Sequence, residues 1–296
     1  MRACRMMARM TCRKTCAILC LAACLAAAPS RVGAQATPAP ATPAPATTPA
    51  TPPANTRFIA ARALYYTPTV QGLKSFRCNV DFDWKDFLSR YSGNDVKDDN
   101  PVLQYLRSVK LIVTDDLNGD GHLEWTATGT PPAGKEDSIA KMKDGMQQMM
   151  VGFFSSWNAY LNGNMVPLPD STTTITESPD GFKLHAAAGG TDVTELFDKN
   201  LLLTEAHVVQ PTSDVFAYPT YDDTPDGRLV SSIRTVFRQP PTAPPAELNI
   251  RVTYAPVQNF RLPQQLDYEL KNVGAFEFKF TDCSVQTAAR APDKTD

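Results

Sequence analysis

Acidic and amide side chains alternate in the segment DLNGDG, which begins at Asp116. Asp116, Asn118 and Asp120 match the first half of a calcium loop, where oxygen ligands alternate before a glycine at a sharp turn. The twelfth position is Ala127, where such loops place a bidentate glutamate. Asn-Gly and Asp-Gly pairs are also what a β-hairpin turn requires. We therefore expect a turn here and keep the three residues as a weak candidate metal site.

The three histidines show none of the spacings that zinc enzymes use. His122 falls in the same turn, whereas His185 and His207 fall in predicted strands. The sequence has no G-x-S-x-G motif and no glycine-rich phosphate loop. We expect a non-catalytic protein without a cofactor. An enzyme stays the minor alternative, because catalytic residues drawn from distant strands leave no local pattern.

A run rich in methionine and aromatic residues occupies residues 135–161. Its apolar residues recur at steps of three and four, which predicts a helix with one broad apolar face. Methionine is flexible and polarisable and adapts to variable apolar partners. The face could be ordinary core, or it could border a cavity for an apolar ligand. The helix residues that we predict to line such a cavity are Met142, Met146, Met149, Met150, Phe153, Phe154 and Trp157.

Residues 75–83 alternate between apolar and polar side chains, which predicts a half-buried strand. Its apolar face carries Phe76, Cys78, Val80 and Phe82. We expect Phe76, Val80 and Phe82 to lie opposite the helix and to complete the candidate cavity.

Further strands, short helices and hairpin turns follow from the same patterns. Asp-Gly pairs at 120–121, 180–181 and 226–227 indicate hairpins, so the sheet should be mainly antiparallel. We expect one face of the sheet to be exposed to solvent and the other to be covered by helix, which indicates an α+β class with a curved sheet. Helices are predicted at 58–65, 84–91 and 102–106, and strands at 108–114, 122–128, 172–177, 182–185, 201–209, 229–237, 247–254 and 275–280.

The first 34 residues read as a secretory signal peptide, with a basic start, a short apolar run and a small-residue cleavage site after Ala34. A second interpretation stays open, because Leu21-Ala22-Ala23-Cys24 resembles the site at which bacterial lipoproteins are cut and acylated on cysteine. Either interpretation predicts export to the periplasm, as a soluble protein or as one anchored to the outer membrane through Cys24.

Residues 35–55 consist almost wholly of Ala, Thr and Pro, which predicts an extended linker. One domain over residues 56–286 and a disordered tail at 287–296 should follow. Without residues 1–34 the chain has 23 basic and 31 acidic residues, a formal charge of −8. That charge argues against nucleic acid as a partner.

Cys78 and Cys283 remain as a pair after the signal peptide, and in an exported protein a disulfide between them is plausible. Their strand faces are out of step, since Cys283 does not share the alternation of Phe276, Phe278 and Phe280. A bulge near Thr281-Asp282 would bring Cys283 to the inner face.

The layout over residues 56–286 resembles the LolA/LolB-like family of envelope lipoprotein carriers. It has a short first helix, Gly72-Leu73-Lys74-Ser75-Phe76 leading into the first strand, one long internal helix, and Arg261-Leu262-Pro263 before a last strand that ends near Phe280-Thr281-Asp282. The resemblance implies an unclosed antiparallel barrel whose helices plug a lipophilic cavity for acyl chains. No residue here matches by motif the arginine that closes the lid in the family's carrier.

Two functions follow as expectations. The first is a monomeric periplasmic protein that binds or carries apolar ligands such as acyl chains, lipid or lipoprotein. The second is a non-catalytic structural or protein-interaction module of the envelope, in which the same apolar residues form a fully packed core.

Overall fold

The computed structural model describes residues 53–117, 121–166, 173–188, 190–271 and 274–288. Within those ranges the helices are α1 (Pro53–Arg62), α2 (Trp84–Ser92), α3 (Pro101–Arg107) and α4 (Glu136–Tyr160), and the 3-10 turn Leu161–Gly163 follows α4. The strands are β1 (Leu73–Phe82), β2 (Val109–Asp115), β3 (His122–Ala127), β4 (Thr173–Ser178), β5 (Gly181–Ala188), β6 (Thr191–Asp198), β7 (Leu203–Gln210), β8 (Ser213–Thr224), β9 (Gly227–Arg238), β10 (Ala246–Val257), β11 (Phe260–Leu270) and β12 (Gly274–Thr287).

All twelve strands form one sheet in the order β3-β2-β1-β12-β11-β10-β9-β8-β7-β6-β5-β4. Every pairing between them is antiparallel. In the described chain β3 and β4 are the two edges, so the sheet is not closed into a barrel. Helix α4 lies between these two edge strands in the sequence. The predicted α+β class with a curved antiparallel sheet and a long internal helix is confirmed.

The first helix differs from its predicted bounds at both ends. It begins at Pro53, inside the predicted linker, and ends at Arg62 instead of residue 65. Proline suits the first helical position because its missing N–H would have no partner there. Tyr65 instead forms a bridge with Arg228 of β9, which takes the backbone out of the helical conformation.

Three strands, β6, β8 and β11, were not predicted. Two of them, β8 and β11, contain a proline, and a proline inside an apolar run argues against a central strand. Pro219 of β8 pairs with Ile233 of β9, beyond the last pair with β7. Pro263 of β11 pairs with Tyr254 of β10, beyond the last pair with β12. Each proline therefore lies where its strand has a neighbour on one side, and its missing N–H breaks no ladder.

The predicted disulfide and its bulge are both present. In the pairing of β1 with β12, Arg77 lies opposite Ser284 and Asn79 opposite Thr281, so two residues of β12 face Cys78 alone. The extra residue moves Cys283 onto the inner face, where it bonds to Cys78 with a Cα–Cα distance of 4.1 Å. The bond joins the first strand to the last.

One end of the sheet is closed by the segment that follows α1. We call it the capped end, and it carries the hairpins β6–β7, β8–β9 and β10–β11. The Tyr65 hydroxyl accepts a hydrogen bond from the Leu203 N–H at 3.2 Å, and the Tyr66 hydroxyl accepts one from the Arg261 N–H at 2.9 Å. Phe58 of α1 is fully buried in the core there. The opposite end, with the hairpins β5–β6, β7–β8 and β9–β10, is the far end.

Candidate functional site

Helix α4 changes character along its length. Its first half is mostly exposed, and the buried residues there are Ile139 and Met146. Its second half is buried on several sides at once, which is typical of a helix inside a core. The buried residues of this half are Met150, Gly152, Phe153, Phe154, Ser156, Trp157 and Tyr160.

Five of the seven helix residues predicted to line a cavity are buried, and Met142 and Met149 are partly buried. Met150, Phe154 and Trp157 are each 0% exposed. A side chain with no accessible surface touches no void that could hold a water molecule, so the space around these three is filled. Their contact with a ligand stays a prediction.

Of the three β1 residues predicted to lie opposite the helix, Phe76 and Val80 lie beneath α4 and Phe82 does not. The Phe76 ring lies 5.7 Å from that of Phe154 and 5.8 Å from that of Trp157, centroid to centroid. Val80 is 6% exposed on the same strand face. Phe82 lies nearer the far end, where its ring stacks on Phe278 at 4.8 Å. Phe76 and Val80 thus belong to the core under α4, while Phe82 belongs to an aromatic group beside α2.

Two tyrosines of the sheet hold α4 by hydrogen bonds. The Trp157 indole N–H donates to the Tyr254 hydroxyl at 3.1 Å, and that hydroxyl donates to the Val230 carbonyl at 2.6 Å. The Tyr268 hydroxyl donates to the Met149 carbonyl at 3.1 Å. Burial raises the pKa of both hydroxyls, so both stay neutral donors.

Polar side chains also fix α4 to the β2–β3 hairpin. The Asn158 amide donates to the buried Asp115 carboxylate at 3.0 Å, and the Leu117 N–H donates to the same oxygen at 3.0 Å. Gln147 accepts from the Leu123 N–H at 2.8 Å and so covers part of the edge strand β3. Pairing an edge amide in this way protects the edge from other strands.

Gly121 has a second role besides the predicted hairpin turn. A Cβ on this residue would lie 2.4 Å from Cδ2 of Phe154, so any side chain would collide with the ring. The glycine therefore lets α4 pack closely against the hairpin. The sequence pattern alone did not show this contact.

In the described part of the chain, helix α4 covers only one side of the inner face. Contacts of α4 fall on β1, β3 and β9–β12, and its last residue, Tyr160, reaches Tyr221 of β8. On β5–β8 a set of apolar side chains on the inner face stays half-buried towards the far end. We call this set the inner strip: Ala186, Val193, Val208 and Ala217.

Sequence reasoning missed the inner strip because β6 and β8 were not recognised. Leu184 and Ala186 alternate with Lys183 and His185 in β5, and that pattern could have located one side of it. The strip lies on β5–β8, whereas the residues predicted to line the cavity lie on α4 and β1.

One row of the inner face carries polar side chains among small ones. Across neighbouring strands Glu195 lies opposite Ala206, Ala206 opposite Ala217, and Ala217 opposite Thr235. Glu195 is 5% and Thr235 is 1% exposed. The row shares Ala217 with the inner strip, and it lies one step from the row of Val193 and Val208, towards the capped end.

Three tyrosines lie on the side of that row that faces the capped end. The rings of Tyr65 and Tyr221 are 5.5 Å apart, and those of Tyr160 and Tyr221 are 6.2 Å apart. Burial raises the pKa of all three hydroxyls, and the charge of Glu195 raises each further.

His185 and His207 lie on the outer face, each beside an aspartate, while His122 is the exposed first residue of β3. His185 pairs with Asp192 at 2.9 Å, and His207 pairs with Asp214 at 2.8 Å. Arg238 also donates to Asp214, at 2.8 Å. These are hydrogen-bonded pairs on the surface of the strands, and the Arg238 contact is an ion pair.

The described residues contain no group of three or more His, Cys, Asp or Glu side chains that could hold a metal ion. Of the weak calcium candidate, Asp116 is exposed beside the β2–β3 hairpin. Asn118 and Asp120 lie outside the described residues, as do Cys24 and the predicted signal peptide. The predicted acylation and cleavage therefore stay predictions.

A cleft of about 690 Å³ opens at the far end, between α2 and the outer faces of β10–β12. Charges of both signs line it, with Arg90 bonded to Asp86 and Lys279 to Glu277. Aromatic edges of Phe82, Tyr268 and Phe276 form part of its wall. Its mixed charge does not select one class of ligand.

Comparison with protein-family models, with curated proteins and with solved structures finds no match to this chain. Among the described helices, none is both long enough and apolar enough to cross a membrane.

Proposed function

We propose that this protein binds apolar chains, such as the acyl chains of a lipid or a lipoprotein, against the inner strip. The observation that carries the proposal is the half-buried state of Ala186, Val193, Val208 and Ala217 on the concave face of an unclosed sheet. Among the described residues, α4, α1 and the segment that follows α1 pack against other parts of that face. An acyl chain laid on the strip would complete the cover.

The driving force would be removal of apolar surface from water, at about 25 cal/mol per Å². One acyl chain gains about 0.8 kcal/mol per buried CH₂, so useful affinity needs no charged recognition. The partly buried Met142 and Met149 on α4 would supply adaptable contacts if the helix shifts when a chain binds.

Two neighbouring valines test the location of the site. Val208 faces inward in the strip, whereas Val209 faces outward and is 37% exposed. Binding is measured by displacement of a neutral naphthyl fluorophore with dodecanol. Val208→Glu should weaken dodecanol binding by about tenfold or more, because the charge would have to be buried beside the chain. Val209→Glu, the matched control, should leave it unchanged. Equal affinity in both variants would place the ligand elsewhere.

Native mass spectrometry of the full chain, purified gently from cells, tests the function itself. A mass above that of the polypeptide, lost on collisional activation, is the expected result. A clean mass of the polypeptide under all conditions contradicts the proposal.

We also propose export to the periplasm, in line with the basic, apolar start of the chain and the resemblance to envelope lipoprotein carriers. The mass of the mature N-terminus separates the two routes. Cleavage after Ala34 leaves an unmodified chain that begins at Gln35, whereas the lipoprotein route leaves an acylated Cys24. A chain that keeps Met1 in the cytoplasmic fraction would contradict export.

A packed structural or protein-interaction module is the second candidate. The observation that favours it is the absence of any accessible surface on Met150, Phe154 and Trp157. In such a module the inner strip would be ordinary half-exposed surface. Failure of dodecanol and of co-purified lipid to bind, with an unchanged fold, would support this alternative.

A further inference from the structure

The inner strip runs across the strands of the sheet. Ala186 lies opposite Val193, and Val193 lies opposite Val208, on three neighbouring strands. The next residue in that row is Val215 of β8, which is 6% exposed. The half-buried surface of β8 lies instead at Ala217, two residues away on the same face. The strip is therefore one side chain wide and crosses from β5 to β8.

Buried residues close the strip towards the capped end and towards β9. In the row on the side of the capped end, Leu184, Glu195 and Ala206 are each between 1% and 5% exposed. Thr235 of β9, which lies opposite Ala217, is 1% exposed. Residues this buried offer almost no surface to a ligand. A tail on the strip therefore extends neither towards the capped end nor past β8.

The row on the side of the far end is polar. It contains Thr191, Gln210 and Ser213, and the Ser213 hydroxyl donates to the Gln210 side chain at 3.1 Å. An apolar chain gains nothing by covering such groups, because they would lose contact with water. The remaining direction leads to β4, an edge of the described sheet, where Thr173 lies opposite Ala186. The strip is therefore open on the β4 side.

The span of the strip across the sheet sets the length of tail that it can cover. Neighbouring strands lie about 4.8 Å apart, so the three spacings from Ala186 to Ala217 amount to about 14 Å. With carbon–carbon bonds of about 1.5 Å at tetrahedral angles, an extended hydrocarbon advances about 1.25 Å per carbon. A tail of about twelve carbons therefore reaches from the open side to the closed side.

We infer that the ligand is a single-chain amphiphile with a tail of about twelve carbons, which crosses from the open side at β4 to Ala217. The strip is one side chain wide, so it covers one tail and not two. The head group stays outside β4 in solvent, where the described strands do not restrict its size. This inference rests on the proposed function and specifies its ligand class.

A series of straight-chain alcohols tests the length of the tail. Octanol, decanol, dodecanol and tetradecanol, each below its solubility limit, compete with the neutral naphthyl fluorophore on the full chain. The affinity should rise about fourfold for each CH₂ from octanol to dodecanol, and by less than about threefold in total from dodecanol to tetradecanol. A fourfold gain per CH₂ that continues to tetradecanol, or no gain beyond octanol, overturns the inferred length.

Dodecyl maltoside, below its micelle concentration, tests the position of the head group. It carries the same tail as dodecanol under a bulky uncharged sugar. Its affinity should lie within about threefold of that of dodecanol, because both head groups stay in solvent. A loss of about tenfold or more would place the head group within the sheet and overturn the exit at β4.

The variant Ala217→Phe fills the closed side of the strip. It should weaken dodecanol binding by about tenfold or more, since the loss of two buried CH₂ groups alone is worth about 16-fold. Octanol, whose tail ends before β8, should bind nearly unchanged. Ala187→Phe, on the outer face of β5, is the matched control and should change neither affinity. An equal loss for octanol and dodecanol in Ala217→Phe overturns the direction of the tail.

The outcomes separate the inference from the function on which it rests. Binding of the alcohols without the inferred dependence on length overturns the inference and leaves apolar binding intact. Failure of every alcohol to bind overturns both. A far-ultraviolet spectrum and a thermal melt confirm that each variant folds. If Ala217→Phe does not fold, the alcohol series on the unaltered chain still decides.

Discussion

Trp157 donates its indole N–H to the hydroxyl of Tyr254 across 3.1 Å, and that hydroxyl donates in turn to the backbone of β9. The contact joins the fully buried Trp157 of α4 to the middle of the sheet through a tyrosine that is partly buried. A chain of hydrogen bonds of this kind requires a fixed helix position. Any movement of α4 that admits a ligand would therefore start in its exposed first half.

Replacement of Tyr254 tests this anchoring. Tyr254→Phe removes one hydroxyl and leaves the Trp157 N–H and the Val230 carbonyl buried without it. We expect the free energy of unfolding to fall by about 2–6 kcal/mol, at roughly 1–3 kcal/mol for each of the two unsatisfied groups. Urea unfolding followed by tryptophan fluorescence measures it. A loss under 0.5 kcal/mol would mean that water replaces the hydroxyl.

Truncation of Trp157 tests whether its ring is part of a packed core or part of a ligand site. Trp157→Ala should cost about 3–5 kcal/mol, because the ring is fully buried among Phe76, Phe153 and Phe154 and its removal leaves a cavity. Val209→Ala on the outer surface should change the stability by less than about 0.5 kcal/mol. A small cost for Trp157→Ala together with weaker dodecanol binding would identify the ring as part of the ligand site.

Two glycines near α4 should respond to alanine in opposite directions. Gly121→Ala places a Cβ against the Phe154 ring and should destabilise by about 1–3 kcal/mol. Gly145→Ala lies inside α4 with no atom within 4 Å of the new Cβ, so it should stabilise by up to about 1 kcal/mol. Thermal melts of both variants give the comparison, and the same sign for both would contradict the packing described.

The disulfide should account for a large share of the stability. Cys78 and Cys283 are 205 residues apart in the sequence, so the bond closes a very long loop in the unfolded chain. The loop-entropy model gives up to about 5 kcal/mol for such a loop. The double replacement of Cys78 and Cys283 by serine, compared with the unaltered chain in urea with and without reductant, measures this. Reductant should not change the free energy of unfolding of the serine variant.

Acid should weaken the β7–β8 hairpin through Asp214. Burial tends to raise the pKa of this carboxyl, but hydrogen bonds from His207 and Arg238 outweigh burial and lower it. A pKa lower in the folded than in the unfolded chain gives stability above the unfolded value, near pH 4, that is lost as pH falls. Hydrogen exchange of the hairpin between pH 6 and pH 3 should show this loss, and Asp214→Asn should flatten it.

Alternation and turn chemistry predicted the fold class well. The Asp-Gly pairs at 180–181 and 226–227 lie in the β4–β5 and β8–β9 hairpins, and nine of the twelve strands were located. The bulge that realigns Cys283 followed from the side-chain period of two. The proline-containing strands β8 and β11 were not predicted. Whether a proline interrupts the hydrogen bonds of a sheet depends on which side of its strand has a neighbour, and the sequence does not show this.

The candidate site was less predictable. Helical spacing showed which residues of α4 share a face, but spacing cannot distinguish a face sealed against side chains from a face that borders a space. That difference depends on the partners brought by β1, β10 and β12 from more than 70 residues away in the sequence. The polar row of Glu195 and Thr235 needs the register of four strands, which only the assembled sheet supplies.

The pairing of β1 with β12 also constrains how the molecule assembles. In the described sheet, β1, β2 and β3 join the other nine strands only through β12, which is the last of the twelve in the sequence. Contacts across such a separation close slowly, because the loop between them must be ordered first. The sheet therefore cannot be completed before β12 has been synthesised, and until then β1, β2 and β3 lack the strand that joins them to the others and are exposed to aggregation or to chaperones.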